Sequence, residues 1–247
     1  GLVGSEMCIR DRVIDEGLRN FMLKIYNYMA GGLCATALAA YIIVSNTSLL
    51  RLFFNESGYS AFGWLALFAP LILVFAFGWV LQRGTLQQVQ AMFWGYSVLM
   101  GVSLAPIFLV YTGASIARVF LITAATFGAL SLYGYTTKKD LSGWGSFLYI
   151  GVFGLIIASI VNIFMKSSGL DYALSYLTVF IFAGLTVYDT QNMKSLYYAN
   201  GMGGDMAAKG AIAGALSLYL DFINMFMALL RPVSYTHLRA HETGAYL

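Results

Sequence analysis

Long apolar runs separated by short polar clusters dominate this chain. Seven of them, 26–45, 62–82, 91–112, 116–136, 144–165, 172–192 and 210–231, are long enough to cross a bilayer. A hydrocarbon core of about 30 Å takes roughly 20 helical residues at about 1.5 Å each. The links are short apart from 46–61 and 194–209, which leaves no room for a water-soluble domain between spans. Pro70 and Pro106 fall within the second and third spans, where a bilayer helix tolerates a kink. The pattern predicts an all-α membrane protein with seven transmembrane helices.

Composition agrees with the pattern. Charged residues make up 10% of the chain and hydrophobic residues 60%, whereas soluble domains carry about 25% charge. So few charges cannot build a water-facing surface. The net charge of +3 is too small and too scattered for a nucleic-acid binder. Both histidines, His237 and His241, follow the last span, and the cysteines are Cys8 and Cys34. Neither a zinc or copper site within the bundle nor a disulfide framework is expected.

The two ends differ from the rest. Residues 1–12 and 234–247 are polar, lack a helical apolar stripe and resemble translated adapter sequence, so they are expected to be non-native tails. The seven-helix domain is then 13–233. Seven spans put Arg19, Lys24, Arg83, Lys138, Lys139, Lys194 and Lys209 on one side, and Arg51, Arg118, Lys166 and Arg231 on the other. The cationic excess predicts a cytoplasmic amino terminus.

Ionisable groups inside a membrane are costly and tend to mark function. Span six contains GLTVYDTQ, with Asp189, and span seven contains LSLYLDFINMFMALLR, with Asp221; Arg83 closes span two. Asp221 lies about 17 Å along its helix from Gly210. The stretch TQNMKSLYY has no Gly or Pro, so span six can continue to Tyr198, which puts Asp189 about 14 Å from that end. The two carboxyls can therefore share a depth. In span seven, Gly210, Gly214, Ser217, Asp221, Asn224, Ala228 and Arg231 form a small and polar stripe, with Leu216, Leu220, Ile223 and Met227 on other faces. Such a stripe marks close helix packing or a polar path. It predicts that span seven is a buried central helix, with Ser217 and Asn224 as candidate path-lining residues.

Two carboxyls in a low-dielectric site cannot both ionise cheaply, so the pair is expected to share a proton and titrate as a unit. Each protonation state would favour a different helix arrangement, which makes a pH switch. Carboxylate oxygens also suit a hard cation such as calcium, but two fall short of the six to eight in a tight site, so the expected metal contact is weak and transient. Plainer readings stand beside these. Asp189 is then an interfacial residue, Asp221 a structural hydrogen-bonding group, and Arg83, Arg118 and Arg231 are anchors at helix ends. Ser159 and Asn162 read most simply as helix-packing residues. The chain has no P-loop, GxSxG elbow or HExxH, and neither aspartate sits in a GxGD element, so no enzymatic activity and no cofactor are expected.

GLTVYDTQ followed by LYLDFINMFMALLR resembles the closing helices of the transmembrane Bax inhibitor motif family. FWGYSVLMGVSLAPIFLVYT and SIARVFLITAATFGALSLYGYTTKKDLSGWGSFL resemble its bacterial branch, and the likeness spans essentially all of 13–233. The resemblance implies two three-helix layers around a central C-terminal helix. It also implies a passive, pH-sensitive calcium leak in the bacterial inner membrane, with Asp189 and Asp221 as the pH sensor and Arg83 as the latch of the closed state. Some bacterial members carry an acidic residue in span two, where this chain is apolar around Ile72. Other members associate with a membrane-anchored AAA+ protease, which leaves a second expectation open: a non-conducting regulator that binds other membrane proteins.

Overall fold

The computed structural model describes residues 2–55, 58–199 and 204–244, with side chains for 16–55, 58–199 and 204–232. The elements in order are α1 (Leu2–Ser45), α2 (Thr47–Phe53), β1 (Phe54–Asn55), β2 (Gly58–Tyr59), α3 (Ala61–Arg83), α4 (Leu86–Leu104), α5 (Ile107–Val110), α6 (Gly113–Thr136), α7 (Ser142–Met165), α8 (Ser168–Ala199) and α9 (Gly204–Gly244). Seven stretches of the described residues have the length and hydropathy to cross a membrane: Glu16–Ser45, Ala61–Arg83, Leu86–Val110, Gly113–Thr136, Ser142–Met165, Ser168–Ala199 and Gly204–Pro232. Each overlaps one expected span. The fold is all-α and multi-pass.

Local chemistry sets the helix ends. Ser60 and Thr112 cap α3 and α6 by accepting from the N–H groups of Gly63 and Ser115, while Thr85 and Gln88 form a reciprocal capping box on α4. Pro70 is accommodated inside α3, but Pro106 separates α4 from α5, so the third span is interrupted. The long link 46–61 is structured. Asn46 caps the short α2, and β1 pairs antiparallel with β2. Helix α8 runs to Ala199, as the absence of Gly and Pro after Asp189 predicts. The backbone of α1 and α9 is helical through 2–12 and 234–244; the side chains there, with Cys8, His237 and His241, lie outside the described ones.

The chain divides into two compact units. One comprises 1–110 and 193–219, the other 111–192 and 220–247. Each takes three of the first six spans and one portion of α9. In the first unit α4 packs on α1 at Gly101, where a β-carbon would collide with the Thr36 carbonyl and the Ala39 side chain. Glycine permits that approach, as small residues do between membrane helices. Beside it, the Tyr219 hydroxyl and Thr36 Oγ1 lie 2.6 Å apart, and Thr36 Oγ1 is 2.9 Å from the carbonyls of both Ser97 and Gly32. Thr36 has one proton, so Tyr219 donates to it and Thr36 donates onward. Phe93 and Tyr96 meet the Tyr219 ring edge-on. The second unit packs Phe222 against Phe120 and Phe127, with centroids 5.4 and 5.6 Å away.

Exposure follows the membrane reading. In α7 only 11% of the most apolar window is buried, and Phe147, Ile150, Phe153, Ile157 and Phe164 are all exposed. In α9 the corresponding share is 67%. Span seven is thus the most buried span, as expected, but not because of one stripe. Leu216 and Ile223, assigned to its other faces, are buried too. Apolar packing surrounds most of this helix.

Two outcomes follow. Gly101→Leu inserts a branched side chain where a single carbon already collides, and should destabilise the protein by about 3 kcal/mol or more in thermal unfolding in detergent. Tyr219→Phe removes one donor while Thr36 keeps its carbonyl partners, so the same measurement should show a loss of about 0.5–1.5 kcal/mol.

Candidate functional site: a buried carboxyl pair

The motif on α8 is built residue by residue within the second unit. Gly134 on α6 lies so close to the Val187 carbonyl and Thr190 that a β-carbon would clash, which draws α6 and α8 together. Thr190 Oγ1 donates to the Thr186 carbonyl at 2.7 Å, so the 2.9 Å contact with Ser131 has the serine as donor. Tyr188 occupies the space above Gly145 of α7, where a methyl group would overlap its ring. Gln191 fastens the turn before α7: its Nε2 donates to the Lys139 carbonyl at 2.7 Å, and its Oε1 accepts from Leu141 N–H at 2.9 Å.

Asp189 sits within this framework and is 3% exposed; Asp221, on α9, is 4% exposed. Both belong to the second unit, where the charge of Asp189 acts on Asp221. Tyr149 of α7 is within electrostatic reach of both, with its hydroxyl 3.5 Å from Asp189 Oδ1, at the outer limit of a hydrogen bond. Asp221 Oδ2 is buried without a hydrogen-bond partner among the described residues. An ionised carboxylate stranded in that way is very costly, and a neutral carboxyl costs much less. The site can therefore hold a proton whose loss changes the local energy strongly. Its burial argues against a purely interfacial Asp189.

The remaining expected residues lie elsewhere or are otherwise engaged. Arg83 is exposed at the end of α3 in the first unit, with its guanidinium 5.8 Å from the centre of the Trp79 ring. That placement fits a helix-end anchor. Ser217 is half-buried in the first unit. Asn224 is half-buried in the second, where its amide donates to the Leu220 carbonyl of its own helix at 2.8 Å. Ser159 is exposed, so it is not a helix-packing residue; Asn162 instead closes α7, its side chain accepting from Ser167 N–H at 3.1 Å. Arg231 is more than an anchor, since its guanidinium lies 3.7 Å from Asp171. Among the described residues no group of three or more His, Cys, Asp or Glu side chains could hold a metal ion.

Sequence reasoning missed Tyr149 and Gln191, and read Lys209 and Asp140 only as charges of the cytoplasmic side. Tyr149 lies one helical turn after Gly145, a spacing that places both on one face of α7. Lys209 Nζ donates to the Gly84 carbonyl at 2.5 Å, just past the end of α3. Asp140 is fully exposed outside the spans. Hydrogen bonds from the Ser142 side chain and backbone hold its carboxyl below the usual range, so it is ionised at neutral pH.

Comparison with known proteins places this architecture. A model described as "Inhibitor of apoptosis-promoting Bax1" matches residues 18–236. An uncharacterized protein of Rickettsia prowazekii is 46% identical over 222 residues, covering 90% of this chain and 92% of that protein. A Caulobacter vibrioides protein is 46% identical over 227 residues, covering 89% and 90%. The inner membrane protein YbhL of Escherichia coli is 41% identical over 216 residues, covering 87% and 91%. With seven apolar helices, a closing pair that carries two buried acids, and a family match over nearly its whole length, this chain belongs to the Bax inhibitor family described as inhibitor of apoptosis-promoting Bax1.

Proposed function

We propose that this protein is a pH-sensitive cation leak channel of the bacterial inner membrane, with calcium as its permeant ion and Asp189 and Asp221 as its sensor. The observation that carries the reading is a pair of buried acids in one compact unit, one of which has a carboxylate oxygen without a hydrogen-bond partner among the described residues. A site of this kind is stable with a proton and unstable without one, so alkalinisation supplies energy to rearrange the helices. The inner-membrane setting is supported by the name of the Escherichia coli relative and by the seven apolar spans.

Calcium is cargo in this proposal. Two carboxyls cannot provide the six to eight oxygens of a storage site, and weak contact allows release. Asn224 and Ser217 are proposed to line the route; Asn224 has its amide committed to Leu220, which leaves its carbonyl oxygen as an acceptor. The latch role of Arg83 rests on the sequence resemblance. It requires the guanidinium to leave Trp79 in one protonation state.

Liposomes loaded with a calcium-sensitive dye test the proposal. The parent should change its flux at least several-fold between pH 5 and pH 8, and Asp221→Asn and Asp189→Asn should each flatten that response to within about twofold; one pKa unit corresponds to a tenfold change in proton occupancy. Equal pH responses in parent and variants would remove the sensor, and silent liposomes at every pH would remove the channel. Arg83→Gln should raise flux at the pH where the parent is closed, and unchanged flux there would exclude the latch.

A further inference from the structure

The second unit contains a third polar group that the sensor reading does not use. Tyr149 is 46% exposed, yet its hydroxyl points inward to Asp189 Oδ1 at 3.5 Å. Gly145, one turn earlier on α7, leaves room for the Tyr188 ring, and that ring meets Tyr149 edge-on with centroids 6.2 Å apart. Two aromatic rings in that arrangement restrain each other. Asp189, Asp221 and Tyr188 are the titratable groups that act on Tyr149.

We propose that Tyr149 is a positioning residue that decides which carboxyl of the pair carries the shared proton. This rests on the acid-pair reading above. A phenol O–H is a donor, and donating to Asp189 favours that carboxyl as the anion. Asp221 Oδ2 has no donor aimed at it from the described residues. An anion there would be stranded, so Asp221 holds the proton. The pair is therefore asymmetric: Asp189 is the charged member, held by Tyr149, and Asp221 is the neutral acid. Because Tyr149 is half exposed, its rotation away from Asp189 would remove the asymmetry without unpacking a helix.

Infrared spectroscopy of the full chain in lipid nanodiscs tests this, because a protonated carboxyl has its own C=O stretching band. At neutral pH that band should be present in the parent, lost in Asp221→Asn and retained in Asp189→Asn. In Tyr149→Phe it should shift, since loss of the tyrosine donor returns part of the proton to Asp189, and part of the band should then survive Asp221→Asn. 3-Fluorotyrosine at position 149, a stronger donor, should move it the other way, and this second variant keeps the test decisive if Tyr149→Phe folds poorly. A band removed by Asp221→Asn but unmoved by either change at 149 would overturn the role of Tyr149 and leave the pair intact. A band lost in Asp189→Asn and kept in Asp221→Asn would overturn the asymmetry alone. If neither asparagine variant affects any band, the acid pair falls and this inference falls with it.

Discussion

A carboxyl group in hydrocarbon has no water to solvate its charge, so the protein must supply either a partner or a proton. That constraint organises the second unit of this chain. Asp189 and Asp221 are both almost fully buried, and the Tyr149 hydroxyl reaches Asp189 at 3.5 Å. A membrane protein selected for stability alone would gain by replacing these acids with apolar residues of similar volume. Their presence at this depth is the strongest chemical feature of the molecule, and the surrounding close contacts determine where they stand. Gly134 and Gly145 let α6 and α7 approach α8, and Gln191 fixes the turn that leads into α7.

The first unit shows the same economy with neutral groups. Tyr219, Thr36 and the Ser97 carbonyl form a chain in which each proton has a place. Among the described residues of that unit nothing resembles the stranded oxygen of Asp221. Tyr219 and Asp221 are two residues apart on α9 and belong to different units. One short motif thus carries a hydrogen-bonded anchor and an acid with an unpartnered oxygen.

Some expectations failed for a common reason. Ser159 and Asn162 are one turn apart and looked like a packing pair, but α7 is the least buried span and its serine is exposed, while Asn162 is used at the helix end. The buried span seven that the stripe on α9 predicts is found, but Leu216 and Ile223 on its other faces are buried as well. Residue type along one helix reports which faces differ. It does not report how many faces are covered, because covering is done by other helices.

Much was therefore legible before any coordinates. Hydropathy and length predict seven spans because each helix must satisfy its own backbone in lipid, a condition that depends only on consecutive residues. The run of α8 to Ala199 is local for the same reason, whereas Pro106, expected only as a kink within a span, interrupts that span. The two intramembrane acids also stand out by type and depth. What required the tertiary structure was every relation between distant residues. Tyr149 is 40 positions from Asp189, and the partner of Arg231 is Asp171, at the far end of α8. Which carboxyl has a donor and which oxygen is stranded depends on how side chains from different helices meet, and that geometry has no local signature.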